Sequence, residues 1–406
     1  MKSTINRIFA IARREVYRMS SRRLYLLAVL VFPVLSILFF TSIMKDGVPT
    51  RLPIAVVDLD QTLTSRKFVR NIDATQGSAV VMHLNSENEA MKELRKTNIY
   101  GFVVLPKNMQ ADIMTSRQPV VSYYYQNGFL IAGGLVQNDL TQMLHTLSAG
   151  IDLQKREAMG QSEETLMASV QPIKFDAHML FNPETNYPVY VTSIMLPIML
   201  QLFILMITVY SIGIEIKERS SREWLKMADK SMVVAIAGKL LPYTVIFMVL
   251  MTFQNLLLYR VLMVPLNVNM GWMIFASGLF VLAYQAIGVF FVGLLPLMRH
   301  SLNLAAFYGI LALTLVGFSF PAESMSPVFQ AWAGGFPARH YMHIFQDQML
   351  AGFEPYYALK SYVFLMLFLL LPFTILGRLN SALIYQNFIE NIHKNDVPVK
   401  YHAGTQ

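Results

Sequence analysis

The sequence has no cysteine, and charged residues make up only 14% of its 406 positions against 54% hydrophobic ones. The first absence excludes disulfides, so any extracytoplasmic part must hold together by its core and its attachment to the membrane. The second excludes an ordinary soluble protein for most of the chain, because soluble domains carry roughly a quarter charged residues. A G-x-x-x-x-G-K-[ST] phosphate loop is missing too. Gly238-Lys239 lacks the earlier glycine and is followed by Leu240, so nucleotide hydrolysis is not expected in this chain.

What is present is a set of long apolar runs. A hydrocarbon core of about 30 Å takes roughly 20 helical residues, and six runs qualify: Leu24 to Ile43, Val189 to Ile214, Val233 to Val264, Trp272 to Leu297, Leu302 to Phe320 and Leu359 to Gly377. The fourth and fifth are separated only by Met298 to Ser301, which predicts a tight helical hairpin. The first run is about 20 residues long and FFTSIMKDG offers no small-x-small cleavage site, so it reads as a retained anchor rather than a signal peptide.

Lys and Arg set the orientation. They crowd before the first run (Lys2, Arg7, Arg13, Arg14, Arg18, Arg22, Arg23) and between the second and third (Lys217, Arg219, Arg222, Lys226, Lys230). Arg299 lies between the fourth and fifth, and Arg378, Lys394 and Lys400 follow the sixth, whereas Pro265 to Gly271 carries no charge. Both termini are therefore expected in the cytoplasm, and the net charge of +8 reads as topology and anionic-lipid contact rather than nucleic-acid binding. Upstream of the first run, Ile5, Ile8, Phe9, Ala12, Val16 and Met19 recur at helical spacing opposite Arg13, Arg14 and Arg18. That pattern predicts an amphipathic helix on the membrane surface. The expected organisation is 1–23 amphipathic helix, 24–43 first span, 45–187 extracytoplasmic domain, 188–377 spans two to six and 378–406 cytoplasmic tail. A loop at 215–231 and an outer segment at 321–352 belong to the fourth of these parts.

The stretch 45–187 alternates strand and helix: Ile54 to Asp58, Thr64 to Asp73, Ala79 to Leu84, Ser86 to Arg95 with a capping box from Ser86 and Glu89, Gly101 to Leu105, Asn108 to Ser116 and Val120 to Tyr125. Such alternation predicts a small α/β domain with a largely parallel sheet. Gly133 to Met159 follows as one long helix, and Asp176 to Tyr187 as an extended return. The fold class expected is thus an α-helical integral membrane protein with six spans and an α/β domain inserted between the first two.

The domain opens with AVVDLDQTLT, which looks like the first motif of haloacid-dehalogenase-type phosphohydrolases. That chemistry needs a further acidic cluster for Mg²⁺ and a positioned lysine. Asp112, Asp139, Asp152 and Asp176 are each isolated, Lys107 and Lys174 stand in no pattern, and Gln61 replaces the usual glycine. Asp58, Asp60 and Thr64 are therefore expected to end a strand, make a turn and cap a helix.

A second charged block, EIKERSSREWLKMADK, puts nine charged residues in sixteen between the second and third runs. Ser220 and Glu223 predict a capping box and a helix from Ser221, with Trp224, Leu225 and Ala228 on one side and Arg222, Lys226 and Asp229 on the other. An exposed Trp there suits either docking into a partner's groove or anchoring at the membrane interface. His340 and His343, three apart beside Arg339, read as an interfacial helix in preference to a metal pair.

Three regions resemble the permease subunit of type 2 ATP-binding-cassette exporters: Ile212 to Tyr243, Leu315 to Gly352, and PIAVVDLDQTLTSRKF with YGFVVLP. The family often has Gly-Thr at Ser220 and Ser221 and a proline near Asp229 and Lys230. The resemblance implies a non-enzymatic transport subunit of a bacterial inner membrane, without a cofactor of its own, ATP and Mg²⁺ being used by a separate cytosolic ATPase. It further implies a second permease copy or a related permease, with a periplasmic adaptor and outer-membrane channel as candidate partners, and an amphiphilic or lipid-like substrate moved outward. Coupling to the ATPase would fall to Glu215, Glu218, Arg219, Arg222, Glu223, Trp224 and Leu225. The pathway would be lined by Phe203, Met206, Tyr210, Phe307 and Tyr308, and the outer gate formed by Pro321, Met325, Phe336 and Pro337. A membrane-anchored phosphatase is one alternative. An ion-coupled secondary transporter is the other, but it needs ionisable groups at mid-membrane. The runs hold mainly Gln201, Gln254, Asn255, Gln285 and Asn303, with Lys239 and Arg260 near enough to the ends to snorkel.

Overall fold

The computed structural model describes residues 4–45, 47, 49–115, 117–158, 187–318 and 320–385. The return from Asp176, Lys174, and the tail with Lys394 and Lys400 lie outside the described residues. In chain order the helices begin with α1 (Thr4–Ser20), α2 (Arg23–Leu26), a π-helical turn (Leu27–Val31) and α3 (Phe32–Met44). The inserted part runs β1 (Leu52–Asp58), α4 (Leu63–Asp73), β2 (Ser78–Leu84), α5 (Glu87–Arg95), β3 (Gly101–Leu105), α6 (Met109–Met114), β4 (Ser122–Tyr125) and α7 (Leu130–Ala158). There follow α8 (Tyr187–Lys217), α9 (Ser221–Met227), α10 (Met232–Arg260), α11 (Met270–Leu294), α12 (Met298–Leu315), α13 (Pro327–Gly334), α14 (Pro337–Ile344), α15 (Leu359–Phe368) and α16 (Leu371–Tyr385). Residues 49–158 make one compact unit, and the residues on either side of them make another.

In the inserted unit the strand order is β2-β1-β3-β4. β1 pairs in parallel with β2 and β3, and β4 closes the far edge antiparallel to β3. The period of two decides what each face buries. Ile54, Val56 and Val103 pack on one side with Phe68 and Ile72 of α4 and Val136 and Leu140 of α7. Ala55, Val57 and Phe102 pack on the other with Ala90 and Leu94 of α5. Because both faces are covered, β1 reads as a continuous apolar run. The Ser86 cap is present, its hydroxyl accepting from the Glu89 N–H at 3.3 Å. At α4 the cap is Thr62 and not Thr64: the helix starts one residue earlier than expected, and the Thr62 hydroxyl accepts from the Ser65 N–H at 3.2 Å.

Among the described residues of the flanking unit, five helices are long and apolar enough to cross a membrane: Leu27–Met44, Pro188–Lys217, Met232–Arg260, Met270–Leu294 and Leu359–Tyr385. The expected fifth run is α12, which starts at Met298 and stops at Leu315, and its opening Met-Arg-His keeps it out of that set. Its 18 residues would still rise about 27 Å. The last span is broken at Leu369–Leu370, where Pro372 has no N–H to give to the preceding turn, and it continues to Tyr385. α8 is the central element, packing on α3, α10, α11 and α12. Its approach to α12 is close enough to require Gly309, where an added Cβ would come within 2.8 Å of Leu202. Gln201 Nε2 donates to the Gly309 carbonyl at 3.3 Å across the same contact.

Candidate functional site

The charged end of the spans is organised by Glu215, in the last turn of α8. Its carboxylate is fully buried and accepts from Arg14 Nη1 at 2.7 Å, from Lys239 Nζ at 2.7 Å, and from Arg18 and the Ser220 hydroxyl. Lys239, seven residues into α10, also donates to Glu15 of α1 at 2.6 Å. Glu15 in turn accepts from Tyr243 at 2.7 Å, and Tyr25 and Tyr243 share a hydrogen bond. Arg18 and Arg22 both reach Glu218, the latter at 2.6 Å. Burying charges is costly unless each is paired and hydrogen-bonded. Here three carboxylates meet four cations from α1, the α1–α2 turn and α10.

The backbone permits this because α1 lies against α10 at Gly238. A Cβ there would stand 2.9 Å from both the Ile8 carbonyl and Ile11 Cβ. α1 consequently divides its residues: Ile11, Ala12 and the charged Glu15 turn inward, while the apolar Ile5, Phe9 and Val16 remain exposed. Outside the spans, burial pushes the Glu218 carboxyl up, but the hydrogen bonds from Arg18 and Arg22 outweigh it and hold the group below its ordinary value.

Two expectations for the loop need correction. Trp224 is fully buried, not exposed. Its Nε1 donates to the Ala235 carbonyl at 3.2 Å, and Lys239 Nζ stands 5.1 Å from its ring centroid. α9 is amphipathic, with Trp224, Leu225 and Ala228 buried and Arg222, Lys226 and Asp229 exposed, but its apolar side faces the protein's own α1, α10 and α16. Ser221 donates to the Leu383 carbonyl at 2.8 Å and Arg222 to that of Ile384 at 3.1 Å, which fixes α9 to α16. Nor is Ser220 a cap. Its backbone is not extended (φ −93°, ψ 0°), and its hydroxyl is turned to Glu215. Lys239 likewise does not snorkel, because two carboxylates hold it inside.

The turns that bound α9 use left-handed residues other than glycine. Arg219 (φ 56°) ends α8 with bonds from Arg219 and Ser220 N–H to Ile216 and Glu215 carbonyls, and Asp229 and Lys230 (φ 54° and 63°) end α9 in the same way. The loop thus presents Arg219, Arg222, Glu223, Lys226 and Asp229 outward, while Glu215, Trp224 and Leu225 point in.

A family model described as the ABC-2 family transporter protein matches residues 23–378. The chain belongs to this family. No curated protein matches it. As an ABC-2 permease it is a multi-pass membrane protein whose family implies an ATPase partner, and its spans carry the α/β insertion after the first.

The other expected site residues fall in separate places. Phe203, Met206 and Tyr210 are half-buried on α8, with the Tyr210 ring 5.1 Å from Tyr25, beside the charge cluster. Phe307 is exposed on α12. Tyr308 donates to the Gly335 carbonyl at 2.5 Å and its ring lies 4.7 Å from Phe336, so one pathway residue and one gate residue do meet. Phe336 and Pro337 are buried, Met325 half-buried and Pro321 exposed. His340 is committed to the Gly334 carbonyl at 2.9 Å and stacks on Phe364.

The two aspartates of the insertion are structural in their contacts. Asp58 accepts from the N–H groups of Asp60 (3.0 Å) and Gln61 (2.9 Å) and from the Ser65 hydroxyl (2.7 Å). Asp60 accepts from the Thr62 hydroxyl (2.5 Å) and the Gln110 N–H (3.2 Å), which ties the turn to α6. Gln61 holds the left-handed conformation at φ 55°.

Proposed function

We propose that this ABC-2 permease is the membrane half of an ATP-driven exporter that moves an amphiphilic or lipid-like compound outward. Its α8–α9–α10 loop faces the cytoplasm and receives the motion of the partner ATPase. The observation that supports this reading most is the Glu15–Lys239–Glu215 network. It joins the loop to α1 and to the bases of two spans, so a push on the exposed face of α9 is passed on rather than absorbed. Buried ion pairs suit such a role because their geometry has few alternatives once water is excluded. The exposed residues Arg219, Arg222, Glu223 and Lys226 would form the docking face, with Glu215, Trp224 and Leu225 behind them as its support. α8 and α12 would line the pathway and segment 321–352 would close it outside, working with a second permease copy.

The test is to reconstitute the permease with its ATPase in nanodiscs and to measure association, ATP hydrolysis and export for the wild type and for Glu223→Lys. Glu223 is exposed at the surface of α9, so its reversal should leave the fold intact while weakening association or uncoupling hydrolysis from export. Trp224→Ala could not decide the matter, since it removes a buried side chain at about 3–5 kcal/mol. Wild-type coupling in Glu223→Lys would remove α9 as the docking face.

A further inference from the structure

The inserted unit carries a cleft that the transport reading does not use. Arg66, Val69, Arg70 and Asp73 recur at three- and four-residue steps along α4 and share one face. With Asp58 and with Val80 and His83 of the edge strand β2 they line a cleft of about 400 Å³. The carboxylates in it are already engaged: Asp58 holds its own turn, and Asp73 accepts from the Val80 N–H at 2.9 Å. Among the described residues, neither the Arg66 nor the Arg70 guanidinium has an ion pair or hydrogen bond. Two planar guanidinium forks one helical turn apart match the oxygens of a phosphate group, which each can bind through two parallel hydrogen bonds. His83 faces them from β2 as a further polar contact, and Val69 and Val80 leave an apolar strip beside the charges.

We propose that this cleft binds a phosphate headgroup, with Arg66 and Arg70 as its ligands and the Val69–Val80 strip against the first carbons of the molecule that bears it. The full-length permease in nanodiscs is titrated calorimetrically with inorganic phosphate and, separately, with dihexanoyl phosphatidic acid. Binding is expected in the wild type, weaker by about tenfold or more in Arg66→Gln/Arg70→Gln, and unchanged in Lys67→Gln, which alters an exposed cation of α4 outside the cleft. Both arginines are exposed, so a thermal unfolding midpoint equal to the wild type's verifies that the double variant is folded. Tighter binding of phosphatidic acid than of inorganic phosphate would identify a lipid headgroup as the source. Equal binding would identify free phosphate as the source, keeping Arg66 and Arg70 as its ligands and removing the Val69–Val80 strip from the site. Absence of binding by either probe, or binding that the double variant leaves at wild-type strength, would overturn it.

Discussion

Lys239 and Glu15 are buried among charges that come from other elements: Lys239 pairs with Glu15 and Glu215, and Glu15 also accepts from Tyr243. Lys239→Met would leave Glu15 and Glu215 with less compensation, at an expected cost of about 3–5 kcal/mol, and Lys239→Met/Glu15→Gln should recover part of it. Thermal unfolding in nanodiscs reads both; equal midpoints for Lys239→Met and the wild type would show the network to be dispensable. Glu218 gives a pH dependence. Its folded-state pKa lies below the ordinary value of 4.5, so its contribution to stability is complete above that value and is lost as pH falls through the folded value. The drop in unfolding temperature from about pH 6 to about pH 4 should therefore be smaller in Glu218→Gln than in the wild type. At this scale the sequence was least legible. Arg14 and Arg18 read as orientation signals and as the polar face of a surface helix, and Glu15 carries no sequence signal taken alone. Yet Glu15 stands three and four residues beyond Ala12 and Ile11 on the inward face of α1, and a carboxylate interrupting an apolar stripe was the available signal.

Among elements, α1 packs on α10 through Gly238. Gly238→Ala puts a methyl group against the Ile8 carbonyl, which cannot move without moving the helix. It should loosen α1 from α10 and raise amide exchange over residues 4–20, while exchange in α5, in the other unit, stays as it was. Unchanged exchange in α1 would show that the contact gives way elsewhere. Elements were largely readable. The β1–α4–β2–α5–β3 alternation follows from the short continuous apolar run Ile54 to Val57 and from the Ser86 cap, and those signals are local. Where reading failed, a tertiary partner had taken the side chain: Glu215 holds the hydroxyl that Ser220 would need for capping, and α10 covers the Trp224 that α9 alone would expose.

For the whole molecule, the apolar runs sufficed to place the helices that cross a membrane, since length and composition decide that without tertiary information. They did not foresee the break at Leu369–Leu370 or the short, basic start of α12, which depend on one proline and one Arg-His pair. Nor could runs and loops reveal that the charged loop is built into the spans and not hung beneath them. Orientation and coupling are directly measurable because the chain lacks cysteine, so one introduced thiol is the only one in it. The measurement is thiol-directed cross-linking of Glu223→Cys to the co-expressed ATPase in membranes, with Gln330→Cys, exposed on α13, as the comparison. A cross-linked species is expected from Glu223→Cys and none from Gln330→Cys. Cross-linking from Gln330→Cys with none from Glu223→Cys would contradict the proposed orientation and coupling.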